Sequence, residues 1–348
     1  MKSDSKYYSG DYLLTLKDKD KLLPEIYICD GNRTAGKSYY FKSRLIDTFI
    51  NKRNVNEFIY LYQYKTDMND CANNIFGDIS DKYKGYEMTE KKLADGAVVK
   101  LMLNGIQCGF CLALSMATKY KKMSALFVNV AHMFFDEYQN EDGNYLEEEP
   151  KKLQSIHTTV ARGHGEQTRR VPLYMCSNTV SILNPYYNAF GINKLLKKST
   201  KYLRGTGWVF ERTFNESASQ AYKASSFNRA FGNSSYNKYA SENVYLNDNM
   251  ALIGKPDGYS TYLLSVLYNG EWYNIRRYST CIYVSTGADQ TYPSRICFNV
   301  DDVVDDRSVM VSSSSFIVAS LRTYFNKGLM RFENLKCKNM ALDLLSYI

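Results

Sequence analysis

Ile26-Tyr27-Ile28-Cys29-Asp30-Gly31-Asn32-Arg33-Thr34-Ala35-Gly36-Lys37-Ser38 is the stretch on which the fold turns. A short apolar, β-prone run feeds a loop of the form G-x-x-x-x-G-K-[ST], and residues 39–52 behind it read as helix. Strand, glycine loop and helix together are the setting of a phosphate-binding P-loop. Gly31 and Gly36 let the backbone curl until successive N–H groups of Asn32, Arg33, Thr34 and Ala35 converge on an anion. The helix N-terminus adds partial positive charge there. In this reading Lys37 reaches the β- and γ-phosphates of ATP, and the Ser38 hydroxyl ligates Mg2+.

Working outward, the next informative run is 125–137, a near-continuous apolar stretch ending in Asp136-Glu137. It reads as a buried parallel strand whose acids sit at the carboxyl end, where open α/β sheets gather ligands. Asp136 is expected to hold the metal through water and Glu137 to orient the attacking water. Residues 57–65 form a strand between these two, ending in a polar tip at Lys65. Residues 66–96 read as helix and loop. The runs 98–103 and 107–114 flank Asn104-Gly105, a hairpin signal. Residues 171–179 read as a further buried strand tipped by Ser177-Asn178-Thr179, either beside the γ-phosphate or a simple turn. Residues 151–170 read as a helix breaking into a basic loop. Arg162 stands at the break, as a finger for a neighbouring subunit or as a solvated charge.

A chain of 348 residues accommodates two domains, and its net charge of +8 permits a polyanionic partner without demanding one. No apolar run approaches a membrane span and the opening residues lack a signal peptide's apolar region, so the chain is expected in the cytoplasm, not secreted. Eight cysteines are scattered, with one C-x-x-C pair, Cys108 and Cys111, in an apolar run; buried reduced thiols are expected rather than a metal site. Lys194, Lys197, Lys198, Lys201 and Arg204 open a basic and then polar segment. From about residue 251 strands dominate, with candidates at 259–268, 271–278, 280–286 and 294–300, and helices at 315–326 and 334–348.

With these pieces in order, the chain resembles the DNA-packaging ATPases (encapsidation proteins) of the phi29-like phages. The anchors are Gly31-Asn-Arg33-Thr-Ala-Gly-Lys-Ser38, Phe58-Ile-Tyr-Leu-Tyr-Gln-Tyr-Lys65, Phe135-Asp-Glu137, Thr159-Val-Ala-Arg162, Ser177-Asn178 leading to Asn184-Pro185-Tyr186, Val266-Leu-Tyr-Asn-Gly270 and Gly328-Leu-Met-Arg-Phe-Glu-Asn334. The resemblance implies an α/β fold: an ASCE P-loop ATPase domain with a central, mainly parallel sheet at 1–200, a linker at 201–245, and an α+β, RNase H-like vestigial nuclease domain at 246–348. It implies a homomeric, pentameric ring. That ring would dock transiently on the portal of a viral prohead in the host cytoplasm, with or without a structural RNA, and drive double-stranded DNA inward with ATP and Mg2+. Arg162 matches the position of a trans-acting finger, and Lys65 a basic position facing the DNA.

Three departures stand out. Tyr62-Gln63 replace the family's paired arginines, the loop after Glu137 is acidic (Glu141, Asp142, Glu147, Glu148, Glu149), and Thr34 occupies a place open to a third loop glycine. Two alternatives remain at this stage: a terminase-like translocase with an active nuclease, and a nucleotide-binding assembly protein without turnover. Against the first, runs 262–268 and 280–286 carry none of the strand acids that a two-metal nuclease needs.

Overall fold

The computed structural model describes residues 7–162, 167–196, 200–232, 234, 240–241, 252–303, 305–311 and 316–346. Lys197 and Lys198 of the basic run, and most of the polar segment after Gly232, lie outside them. The chain forms two compact units, Met1–Val180 with Leu196–Leu246, and Ser181–Leu195 with Asn247–Ile348.

The first unit is built on a sheet of nine described strands: β1 (Ile26–Gly31), β2 (Glu57–Tyr62), β3 (Met88–Leu93), β4 (Val98–Leu103), β5 (Ile106–Ala113), β6 (Val130–Asp136), β7 (Leu173–Asn178), β8 (Tyr202–Gly205) and β9 (Trp208–Thr213). Their order is β3-β4-β5-β2-β6-β7-β1-β9-β8. The run from β5 to β9 is parallel throughout, and antiparallel strands close both edges. β7 stands between the P-loop strand β1 and the acid-bearing strand β6, the insertion expected of an ASCE sheet. Parallel strands covered on both faces are apolar along their length, which is why β1, β6 and β7 read as continuous hydrophobic runs.

The helix Lys37–Asn51 presents Phe41, Leu45, Ile46 and Phe49 to the sheet at helical spacing. The Phe41 ring lies 5.6 Å from Phe134 on β6 and 5.4 Å from Tyr174 on β7. That packing anchors the P-loop helix across the two strands that carry the site.

Three sequence expectations change in this unit. Residues 125–137 are not one strand: a short 3-10 turn, Ser124–Phe127, precedes β6. The Arg169 guanidinium holds that junction by donating to the carbonyls of Phe127, Val130 and Val160. Within 66–96, β3 forms a half-exposed edge strand whose Glu-Lys-Lys content hid it among polar residues. Finally, β8 and β9 belong to the first unit's sheet, β9 pairing directly with β1, so a linker beginning at 201 is corrected: the first strands of that segment are sheet, not connector.

The second unit carries β10 (Leu252–Ile253), β11 (Ser260–Tyr268), β12 (Glu271–Tyr278), β13 (Ile282–Thr286), β14 (Arg295–Cys297), β15 (Ser308–Met310) and β16 (Met330–Phe332), ordered β10-β16-β13-β12-β11-β14-β15. β11, β12 and β13 are a meander, while β14 runs parallel to β11 and β15 parallel to β14. Five strands therefore follow the third-second-first-fourth-fifth order of an RNase H-like sheet. Asn269 and Gly270 both take left-handed backbone angles at the β11–β12 turn, the type I′ geometry that Asn-Gly favours. The helices Phe316–Asn326 and Leu335–Leu345 bury Val318, Leu321, Phe325, Met340 and Leu344 in this core. Ile182 and Leu183 pack on the same core, and Lys194 pairs with Asp343 at 2.7 Å. Residues 181–195 thus belong with the second unit, not with a first domain running to 200.

Candidate nucleotide-binding site

The P-loop crosses the carboxyl ends of β1, β6 and β7. Gly31 keeps an extended backbone; what it supplies is space, since a Cβ there would stand 2.7 Å from the Thr213 carbonyl on β9. Gly36 does the conformational work, with φ of 93° as the cap of the P-loop helix, and Thr34 is also left-handed at φ 58°. The loop therefore turns its amides inward at the N-terminus of a 15-residue helix whose first turn carries no acid.

Lys37 is buried at 6% exposure, and its ammonium donates to the Asn32 carbonyl at 2.8 Å and to Asn178 Oδ1 at 3.5 Å. The Ser38 hydroxyl donates to Asp136 Oδ1 at 2.8 Å. A hydroxyl and a carboxylate at that spacing are hard oxygen donors suited to Mg2+. Two further donors converge on the same carboxylate: the Cys176 thiol reaches Oδ1 at 3.0 Å and the Tyr60 hydroxyl reaches Oδ2 at 3.0 Å. Burial pushes both the thiol and the phenol far above their ordinary pKa, and the Asp136 charge adds to that, so both remain protonated donors.

Glu137 follows in a left-handed conformation (φ 51°), which swings its side chain out of the strand's alternation. It is solvent-exposed as a residue, yet its carboxyl pKa is raised. Crowding by protein around the carboxyl is the larger cause, the Asp136 charge the next, and Arg33 opposes both. Arg33 itself pairs with Glu141 from the acidic loop.

A cavity of about 300 Å³ is lined by residues 33–39 together with Asp136, Glu137, Cys176, Ser177 and Asn178. A second cavity, about 490 Å³, shares Arg33, Asp136, Glu137, Ser177 and Asn178 and continues to Tyr60, Tyr62, Gln63 and Glu141. Gly31 and Asn32 lie just beneath. The P-loop, both acids and the β7 tip are thus brought together. Ser177 Oγ accepts from the Gln139 amide at 3.3 Å, and Asn178 faces Lys37.

Arg162 and Lys65 are elsewhere. The helix Glu149–Val160 begins after the acids and runs back along the sheet. The Arg169 guanidinium ties its last turn to Val130, at the opposite end of β6 from Asp136, about 20 Å away along the strand. Arg162 follows that turn and is exposed. Lys65 is exposed at the tip after β2, its ammonium on the Asp95 carbonyl at 2.7 Å.

Sequence reasoning missed Tyr60, Cys176 and Glu141. The pairing register carried part of the signal, because Cys176 lies directly opposite Asp136. The acidic loop also proves to be internally engaged. Glu149 is buried and accepts from Gln63 Nε2 at 2.7 Å, and Asn140 Nδ2 donates to Gln63 Oε1 at 3.3 Å. Gln63 thus tethers that loop.

The model of the podovirus DNA encapsidation protein (Gp16) family matches residues 2–347. The chain belongs to this family. Among its Gp16 relatives, the DNA packaging protein of Bacillus phage phi29 is 24% identical over 321 residues, covering 90% of this chain and 91% of that one. The DNA packaging protein of Bacillus phage B103 is 25% identical over 323 residues, covering 90% and 94%. This Gp16-family fold is similar to that of the bacteriophage phi29 viral genome packaging motor assembly, with TM-score 0.57 and 21% identity over 98% of both chains. It is also similar to the phi-28 gp11 DNA packaging motor, with TM-score 0.61 and 16% identity over 99% and 98%. Among the described residues, no helix is long and apolar enough to cross a membrane.

Proposed function

We propose that this Gp16-family chain is the ATP-hydrolysing subunit of a viral DNA-packaging motor. The observation that carries the reading is the Ser38–Asp136 contact beside the buried Lys37, beneath a left-handed P-loop. Lys37 and the loop amides would take the β- and γ-phosphates, Ser38 and Asp136 would hold Mg2+, and Glu137 would accept a proton from the attacking water. Mg2+, when bound, neutralises charge on the phosphates. Ser177 and Asn178, which line the same cavity, would border the γ-phosphate.

The subunits would form a homomeric ring, pentameric by family resemblance, docked on the portal of a prohead. Arg162 would complete a neighbour's site, and Lys65 would face double-stranded DNA through sequence-independent phosphate contacts. The second unit would dock partners or grip nucleic acid without cutting. In support, β11 and β13 carry no acids, and Asp305 is engaged by Arg295 at 2.6 Å.

A DNA-stimulated ATPase assay tests the reading. Lys37→Ala and Glu137→Gln should each abolish turnover, with Glu137→Gln still binding ATP. Wild-type protein that neither binds nor hydrolyses ATP with Mg2+, duplex DNA and portal-bearing proheads present would overturn it. Cleavage of plasmid DNA with Mn2+ would instead favour the nuclease alternative.

A further inference from the structure

Asp136 is held from both sides, and the two sides differ in kind. Oδ1 receives Ser38 and Cys176 from within the nucleotide pocket and the Glu137 backbone amide at 3.2 Å, whereas among the described residues Oδ2 receives Tyr60, from the neighbouring strand β2. A cation that draws the Ser38 hydroxyl to itself removes a donor from Oδ1. Cys176 and the Glu137 amide still act on Oδ1, so the restraint on the other oxygen, Oδ2, falls to Tyr60.

Tyr60 is built to fix it. β2 and β6 run parallel with Tyr60 opposite Phe134, one pleat before Asp136 on the same face. The Tyr60 ring is 6% exposed, meets Phe134 edge-on at 5.4 Å, lies 5.0 Å from Tyr62, and carries the Lys42 ammonium 5.9 Å above its centroid. This packing fixes the ring and so sets where the hydroxyl stands, 3.0 Å from Asp136 Oδ2.

We propose that Tyr60 is a positioning residue that orients the Asp136 carboxylate toward the metal of the metal–nucleotide complex. This rests on the reading above that Asp136 serves the metal. In this role Tyr60 acts through Asp136, holding Oδ2 so that Oδ1 presents a fixed lone pair. Hydrogen bonds that orient a metal-serving side chain are a general determinant of metal affinity.

The test uses the full-length chain with ADP, reading Mn2+ binding by electron paramagnetic resonance and metal-free ADP binding by calorimetry in EDTA. Tyr60→Phe keeps the ring and its packing and removes the donor. Mn2+ affinity in the presence of ADP should fall about tenfold, while metal-free ADP affinity stays at the wild-type value, which also shows that the site is folded. Unchanged Mn2+ affinity, or equal losses with and without metal, would overturn the positioning role. Asp136→Asn is measured in parallel. If it leaves Mn2+ affinity intact, the metal role of Asp136 itself is wrong; if it abolishes binding while Tyr60→Phe does nothing, only the role of Tyr60 falls.

Discussion

Asn32 and Asn215 hold each other by a reciprocal pair of hydrogen bonds. Asn32 Nδ2 donates to the Asn215 carbonyl at 3.0 Å, and the Asn215 amide donates to Asn32 Oδ1 at 2.9 Å. Asn32 is the residue whose carbonyl also takes the Lys37 ammonium, and Asn215 caps the helix Glu216–Ala224 through Ala218 N at 2.8 Å. One buried side chain therefore links the phosphate loop to a helix beyond the sheet. Asn32→Ala removes both of these bonds, although the Asn215 carbonyl keeps the Ser219 amide at 3.0 Å, and is expected to cost about 1–3 kcal/mol, read as a lower urea midpoint. Amide exchange of Ala218 should quicken in the same variant. An unchanged midpoint would mean that the pair contributes nothing net.

Arg162 lies at the far end of β6 from Asp136, so it is expected to serve another subunit's nucleotide. Neither Arg162→Ala nor Glu137→Gln rings should turn over ATP. Mixed rings should recover activity where an intact Arg162 faces an intact Glu137. The measurement is ATPase rate against mixing ratio, with mixed assembly verified by native mass spectrometry; absence of recovery at every ratio contradicts action in trans.

Glu137 sets a pH dependence whose sign is fixed by its neighbours. Its pKa is raised, so the ionised form that accepts a proton is lost at a higher pH than for an ordinary glutamate as pH falls. The Arg33 cation lowers that pKa and the Glu141 charge raises it. Removing Arg33's charge should move the acid limb of the ATPase profile to higher pH, and Glu141→Gln should move it to lower pH. Solvent exposure of Glu137 keeps both shifts modest. Limbs that move the same way in the two variants would exclude Glu137 as the titrating group.

Much of this site was legible in the chain because its signals are local. The glycine spacing before Lys37 and the apolar run before Asp136-Glu137 each declare a strand end and what it carries. Tyr60, Asn215 and Glu141 were not legible, because what matters in them is a partner that is remote in sequence. The Tyr60 hydroxyl bonds a carboxylate 76 positions away, and Asn32 bonds a backbone 183 positions away. β9 was missed for a related reason. Trp208-Val-Phe-Glu-Arg-Thr follows a basic run, so composition pointed to a connector, whereas the pairing that makes it a strand is with β1, from the start of the chain. The β3 edge failed on polarity alone.

The late arrival of β9 bears on where this protein tolerates being cut. A fragment stopping near residue 200 would strip β1 of the neighbour that packs against Gly31 and release the Asn32 side chain from Asn215. Its newly bare strand edge, apolar and parallel-built, would be a template for self-association. Such a fragment would also end in residues 181–195, severed from the core that shelters Ile182 and Leu183. Nicking by protease between the two stretches is accordingly expected to disable the phosphate loop from a distance, even with every residue from 31 to 38 intact.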